Sequence, residues 1–369
     1  MSSTLRGLLA LFRREILGVN RNVLLLLLIL ILPLAFGFMF GTFKNIVPRN
    51  APSIVIPSND NLTQDDMRFA NAALSLFSAP TVVSANTPMD LLFNKLYREE
   101  AYFIVSVPHD IFNSGEPVRV YVDASMSPVS ELSPYVREMI LYELYDWRKY
   151  GVDIEINEVG TPALPFQFFV PGVLVLLMVA VGLLVVPFTT SKDSAVFGRV
   201  LRSTSPALVA VSKLGFALVL AAIQVVVLIL TQKFAGASES SLISMNAWTL
   251  YVLLCTAVSF TSLGLIVLLL TKFQEIGKQI NAALFGAVVV FSGIFFPVGF
   301  FPSLPILPTF FQTVARFFPT YYSVILTRGF GVRGLAHQIM GDYLAIITVV
   351  AVVLLAVLHY SLWRFRKNG

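Results

Sequence analysis

Residues 162–191 read PALPFQFFVPGVLVLLMVAVGLLVVPFTTS, with no Asp, Glu, Lys, Arg or His anywhere in the stretch. A helix crossing a bilayer needs about 20 apolar residues, because the hydrocarbon layer is about 30 Å thick and a helix rises about 1.5 Å per residue. This stretch exceeds one crossing, so it should include an interfacial end or a break, with Pro171 and Pro187 as the candidates. Five more runs meet the same test: 22–43, 214–232, 240–271, 279 to about 301, and 343–363. Composition agrees. Of 369 residues, 56% are hydrophobic and 13% charged, with mean hydropathy +0.79. A soluble domain carries about a quarter charged residues, so this chain has too little charge to cover a water-facing surface, and its apolar excess excludes disorder. The expected fold class is an α-helical membrane protein with six transmembrane helices.

Between the first two runs the composition changes. Residues 44–162 hold 9 Lys/Arg and 16 Asp/Glu and no stretch long enough to span. Short β-branched or aromatic runs at 53–57, 102–107 and 118–122, bounded by Pro, Asn, Asp or Gly, predict strands. Met67, Ala70, Leu74 and Phe77 repeat at helical spacing behind Asn61 or Thr63 as a cap, and 130–150 is a second helical stretch. At this length the segment can bury its own core, so it is expected to be an inserted α/β domain.

Basic residues set the orientation. With the N-terminus inside, the cytoplasmic segments hold 13 Lys/Arg against only Glu15, Asp193 and Glu275, while the outer segments hold 13 basic and 18 acidic residues. Short Lys/Arg-rich loops stay cytoplasmic, which places both termini inside and the inserted domain outside. The sequence pI near 9.3 then belongs to the cytoplasmic rim and not to nucleic-acid binding. The first run is too long for a signal-peptide core and no A-x-A site follows it, so it is expected to stay as a span.

No catalytic or metal-binding pattern stands out. The chain lacks a phosphate-binding G-x-x-x-x-G-K-[ST]; at its one Gly-Lys pair, Gly277–Lys278, the leading position is Lys272. There is no G-x-S-x-G, H-E-x-x-H or C-x-x-C. Cys255 is the only cysteine, His109 reads as a solvated turn residue, His359 as an interfacial anchor, and His337 has no evident partner in sequence.

Three stretches carry more information. Leu5, Leu8, Leu9, Phe12, Ile16 and Leu17 form one apolar stripe with Arg6, Arg13, Arg14 and Arg21 mostly off it, an amphipathic helix for the cytoplasmic interface over residues 1–22. It is either a plain anchor or a surface that a cytoplasmic partner pushes. Residues 192–213 alternate Val196, Val200 and Leu201 with basic positions, as a short amphipathic lever or a connecting loop would. Pro297, Pro302, Pro305, Pro308 and Pro319 prevent a continuous span over 297–330, yet many phenylalanines keep it apolar. It reads as short re-entrant helices, or as an aromatic belt with an ordinary loop. Gln224 and Asn281, polar within runs, either line a path or hydrogen-bond between helices.

These features together resemble the membrane subunits of ABC exporters of the type-2 permease class, along nearly the whole chain. Arg13-Arg14-Glu15 with Arg21-Asn22 and Pro33 is similar to the family's approach to its first span. Lys192-Asp193-Ser194-Ala195, Arg199-Val200-Leu201, Arg202 and Ser203-Thr204-Ser205-Pro206, closing on Ser212-Lys213, is similar to its cytoplasmic coupling segment, with Ala195-Val196 in place of Gly-Thr and Ser212 in place of Gly. Ser292-Gly293-Ile294-Phe295-Phe296-Pro297 through Pro302, then Phe318-Pro319-Thr320-Tyr321 and Arg328, follows its serine-glycine-apolar-phenylalanine-proline run and later proline-aromatic step. In 101–112 and 118–123 the chain resembles the subgroup with a large outer domain.

The resemblance implies a division into an interface helix (1–22), a first span (23–43), an extracytoplasmic α/β domain (44–162) and spans two to six (163–369). It implies a cell-membrane permease that pairs with a second permease chain, identical or different, sits among membrane lipids and binds separate ABC ATPase subunits. ATP and magnesium would be bound by those partners; the chain itself would be no enzyme and bind no cofactor. Arg13, Arg14, Glu15, Lys192, Asp193, Arg199 and Arg202 would meet the ATPase, and Phe296, Pro297, Pro302, Pro319 and Tyr321 would form an outer gate. A hydrophobic or lipid-like cargo fits the apolar spans. The competing readings are an ion-coupled secondary transporter, which normally carries ionisable groups inside its spans, a membrane-tethered receptor, which needs fewer spans, and an anchored hydrolase, for which His109 stands alone outside.

Overall fold

The computed structural model describes residues 52–60, 63–66, 79–126, 152–163, 165–192, 199, 201, 205–234, 243–294 and 308–368. The expected interface helix 1–22, first span 23–43 and helix 130–150 lie outside them.

Among its described residues, the inserted segment builds a five-stranded mixed sheet. Its strands are β1 (Pro52–Pro57), β2 (Ala79–Val82), β3 (Phe103–Val107), β4 (Val118–Asp123) and β5 (Ile154–Val159), in the order β2-β1-β3-β4-β5. β1 runs parallel to β2 and β3, β4 antiparallel to β3, and β5 parallel to β4. Phe103, Ile104, Val105 and Val107 of central β3 are all fully buried. A strand covered on both faces reads as a continuous apolar run, which is why β3 stood out in the sequence. Helix α1 (Met89–Tyr97) lays Leu92 and Leu96, one turn apart, on Ile54, Ile56 and Ile104.

Thr63, one of the two expected caps, does cap a helical turn. Its hydroxyl accepts from the Asp66 N–H at 3.1 Å, and Asp66 accepts from the Thr63 N–H at 3.0 Å, a reciprocal capping pair. Asp66 also accepts the N–H groups of Asp110 and Ile111, fastening this turn to the loop after β3. Burial pushes the Asp66 carboxyl up, but these backbone donors outweigh it and hold the group below the usual carboxylate value.

Among the described residues, four stretches are helices long and apolar enough to cross a membrane: Gln167–Ser191, Pro206–Leu230, Ala247–Leu270 and Gly341–Lys367. They belong to α2 (Pro165–Ala180) with its continuation through a π-helical turn (Val181–Val185) into α3 (Val186–Lys192), then to α4 (Pro206–Phe234), α5 (Ala247–Leu270) and a last helix (Gly341–Asn368). Pro171 sits inside α2 and ends nothing. Pro187 stands one residue past the π turn, behind Val186. It has no N–H and its ring crowds the preceding turn, and widening that turn relieves both. The turn also crosses α5 closely: a Cβ on Gly182 would stand 2.5 Å from the Thr261 nitrogen, and one on Gly264 2.4 Å from the Gly182 carbonyl.

Helix α6 (Glu275–Phe291) has 17 residues, about 25 Å, starting earlier and ending well before the run predicted at 279–301. Gly293, at φ +65°, stands just past its end, a backbone state that glycine adopts without strain. Among the described residues, two short helices follow, α7 (Pro308–Phe317) and α8 (Pro319–Gly331), before α9 (Gly341–Asn368). α8 is the most enclosed: from Thr320 through Gly331 every residue but Tyr322 is buried. It packs into a cluster with α5 and α9 through Val252, Ile325, Phe330, Tyr343 and Ile347. By contrast α4 leaves Leu208, Val211, Val219 and Ile223 exposed.

Candidate functional site

The loop that ends α1 departs from the usual rule. The Glu100 N–H reaches the Lys95 carbonyl (3.0 Å) and the Glu99 N–H the Leu96 carbonyl (3.0 Å), a helix stop that puts the earlier of these two donors in the chain in the left-handed region. Glycine normally takes that position; here it is Glu99, at φ 55°. A side chain there costs about 1–2 kcal/mol, and such strain persists where surrounding contacts over-determine it.

Those contacts are arginines from α8 and the turn that follows it. Arg328 on α8, 2% exposed, donates from Nη1 to both Glu99 carboxylate oxygens at 3.1 and 3.3 Å. Its Nη2 donates to the carbonyls of Gly293 and Ile294 at 3.1 and 3.2 Å, and its Nε to the Phe168 carbonyl at 3.3 Å. The guanidinium also stacks on the Phe168 ring, 3.8 Å from its centre. One side chain thus joins the sheet domain, α2 and the end of α6. The fit is tight, since a Cβ on Gly172 would stand 2.2 Å from the Ile294 carbonyl oxygen. Ser292 and Thr320 share a short hydroxyl contact alongside, tying α6 to α8.

Arg333, just beyond α8, completes the cluster. It pairs with Glu99 (3.3 Å) and Asp123 (2.8 Å), and donates to the Tyr97 carbonyl (2.9 Å) and Ser125 Oγ (2.7 Å). Ser125 in turn donates to Asp123 at 2.6 Å. Two arginines face two carboxylates, so charge balances within the cluster. Buried ion pairs barely repay their desolvation, but removing one partner costs about 3–5 kcal/mol, because the other is left charged and dry. The cluster therefore acts as a clasp that fixes geometry more than it adds stability. Burial and the nearby Asp123 carboxylate push the Tyr97 hydroxyl up, so it stays protonated beside the clasp.

A second contact lies at the foot of the same domain. Arg98 pairs with Glu100 (2.8 Å) and with Asp342 of α9 (3.2 Å), and lies over the Tyr343 ring, 4.7 Å from its centre. Burial opposes the Arg98 charge, but Glu100 and its other partners more than compensate and raise its pKa.

The residues singled out in the sequence fall in several places. Arg13, Arg14, Glu15, Asp193, Arg202, Phe296, Pro297 and Pro302 lie outside the described residues. Lys192 is the last residue of α3. Arg199 and Leu201 are both helical; Arg199 is exposed, while Leu201 is buried among Val186, Val209, Leu265 and Leu362. Pro319 opens α8, where its missing N–H leaves no helical bond unmade. Tyr321 is buried and meets the Tyr322 ring edge-on at 5.2 Å. Asn281 is fully buried and donates to the Gly264 carbonyl at 3.1 Å, pinning α6 to α5 at the glycine crossing. Gln224 is half-buried on α4, and its Oε1 has no hydrogen-bond partner among the described residues. His337 does have a partner: it stacks on Trp248 at 4.8 Å.

Glu99 and Arg333 were missed by sequence reasoning, and Asp123 entered it only as the end of the 118–123 resemblance. Arg328 was noticed only as the tail of a motif, although a cation inside the apolar stretch SVILTRGF was itself a signal.

The sequence model of the family described as ABC-2 family transporter protein matches residues 23–359. No curated protein and no solved structure matches the chain.

Proposed function

The chain belongs to the ABC-2 family of transporter proteins, and from that premise we propose that it is the membrane-spanning permease subunit of an ATP-driven exporter. Membership implies an ABC ATPase partner in general and a transport subunit that is generally not itself catalytic. In our reading the chain crosses the membrane six times with both termini in the cytoplasm, and pairs with a second permease chain. Residues 44–162 stand outside the cell, and 297–330 dip into the outer half of the bilayer. α7 and α8, at 10 and 13 residues, are too short to cross, which supports that last point.

The drive enters where 1–22 and 192–213 meet the ATPases, through Arg13, Arg14, Glu15, Lys192, Asp193, Arg199 and Arg202. Leu201, seated among residues of α3, α4, α5 and α9, gives a push on that segment purchase on four helices. The spans then rock as rigid bodies between two packings favoured by different nucleotide states. The observation that carries the reading is the Arg328 clasp. Because one guanidinium joins α2, the end of α6 and Glu99, a tilt of those helices moves the sheet domain with them. A hydrophobic or lipid-like cargo leaves beside α7 and α8, with Phe296, Pro297, Pro302, Pro319 and Tyr321 at the exit. The rival ion-coupled reading gains nothing from the spans 167–191 and 247–270, which hold no Asp, Glu, Lys, Arg or His.

The test is transport into inside-out vesicles with a panel of apolar dyes and fluorescent lipids. Uptake that needs ATP, stops with vanadate and survives collapse of proton and sodium gradients is expected. Uptake that ignores ATP and ends when a gradient is collapsed would overturn the proposal.

A further inference from the structure

A half-open cavity of about 460 Å3 lies between the sheet domain and the membrane helices, beside the clasp and separate from it. That volume is in the range of small-molecule sites, about 300–1,000 Å3. Its walls come from both bodies: β1, the end of α1, the end of α7, and the starts of α8 and α9. Tyr321, Tyr322 and Tyr343 line one side, and Ile54, Ala101 and Ile346 supply apolar wall.

The charges are unevenly used. Arg98 is engaged by Glu100 and Asp342 and forms a fixed floor. Lys95, from the last turn of α1, and Arg316, from the last turn of α7, face the same cavity, and neither makes an ion pair among the described residues. The Tyr322 hydroxyl donates to the Arg316 carbonyl at 2.9 Å, which fixes the backbone carrying that cation. With three cations against two carboxylates the lining carries net positive charge, and Lys95 and Arg316, brought to one partly enclosed space by two different elements, are the cations left for an incoming anion.

The height of the cavity narrows the choice of anion. Asp342 and Tyr343 sit in the first turn of α9, whose candidate span of 27 residues, charged at both ends, is about 40 Å long. The hydrocarbon layer takes up about 30 Å of it, so the first turn stands among the headgroups, where tyrosines also collect. We propose that this cavity binds a phosphate group, with Lys95 and Arg316 as its charge partners, and that a lipid-like phosphate ester is the source its position and apolar wall favour. The proposal goes beyond the exporter reading and does not depend on it, since binding here needs neither nucleotide nor a partner chain.

The probe is dihexanoyl phosphatidic acid, added below its micellar concentration to the full-length chain in neutral detergent, with binding read by native mass spectrometry and by the shift in melting temperature. Dihexanoylglycerol and inorganic phosphate are the comparison ligands. The wild-type chain should bind the phosphatidic acid saturably and bind dihexanoylglycerol at least about tenfold more weakly. The K95Q/R316Q double variant should lose at least about tenfold in affinity for the phosphatidic acid, with an unchanged melting temperature in its absence, because both side chains reach solvent. Inorganic phosphate that fails to displace the probe at equal concentration identifies a lipid headgroup as the source; equal displacement identifies the free anion. Phosphatidic acid that binds no better than dihexanoylglycerol, or binds the double variant as it binds wild type, would overturn the assignment.

Discussion

Glu99 and Arg328 are 229 positions apart in the chain and 3.1 Å apart in space. The carboxylate belongs to a sheet domain with its own core, and the guanidinium to a helix buried among candidate spans. Everything that passes between those two bodies at this point passes through a charge pair that cannot be half broken cheaply.

Replacing Arg328 with alanine should therefore cost about 3–5 kcal/mol, since Glu99 and the carbonyls of Gly293, Ile294 and Phe168 would lose a shared donor while staying buried. Arg328→Lys keeps the charge but not the fork of donors, and should recover only part of the loss. Chemical unfolding in detergent measures both. If the two variants match wild type, the clasp holds nothing.

The backbone at Glu99 gives a sharper contrast. Both Glu99→Ala and Glu99→Gly delete the carboxylate, but only glycine relieves the positive φ. Glu99→Gly should be more stable than Glu99→Ala by about 1 kcal/mol, and both less stable than wild type. Equal stabilities for the two variants would show that Glu99 is not held in a strained state.

Gly182→Ala and Gly264→Ala should each be damaging, because the new Cβ meets backbone of the crossing helix at 2.5 and 2.4 Å. Gly215→Ala, with nothing within 4 Å, is the matched control and should be neutral or stabilising by up to about 1 kcal/mol. Melting temperatures of the three variants in one detergent decide the matter. A tolerated Gly264→Ala would mean that the π turn and α5 do not cross as closely as described.

Asp66 sets an acid limit on the sheet domain. Its folded pKa lies below the ordinary value, so ionised Asp66 contributes stability that is complete above about pH 4 and is lost as pH falls through the folded value. Protection from hydrogen exchange over residues 108–113, taken relative to the intrinsic rate at each pH, should fall below that limit in wild type. In Asp66→Asn exchange should already be faster at pH 7, with a weaker dependence on acid. Parallel pH profiles for the two chains would contradict this role.

What the sequence disclosed follows from how local the physics is. The apolar runs behind α2, α4, α5 and α9 needed only a count of residues against membrane thickness. β3 and β4 were legible for the same reason, as strands whose own residues are buried. β5 was not: in IEINEV the apolar positions alternate with Glu and Asn, and only Ile154 is buried. β2 is four residues long and starts at Ala79-Pro80, a pair that breaks the strand pattern. The clasp was illegible for a different reason. Glu99, Asp123 and Arg333 are each ordinary in their own segment, Arg328 alone stands out in its apolar one, and only the fold, by bringing the end of α1 against α8, makes them one site. The motif Ser292-Gly293-Ile294 with Thr320 and Arg328 stood out as a pattern, and the contacts among them supply its physical reason.

The most direct measurement of the central claim is to purify the tagged chain from its native membrane in mild detergent and identify what accompanies it. The account predicts a stoichiometric ABC ATPase subunit that is lost when Asp193, Arg199 and Arg202 are replaced by alanine, with the permease itself still folded. A chain that purifies alone, and that moves substrate in liposomes on a proton or sodium gradient without ATP, would contradict it.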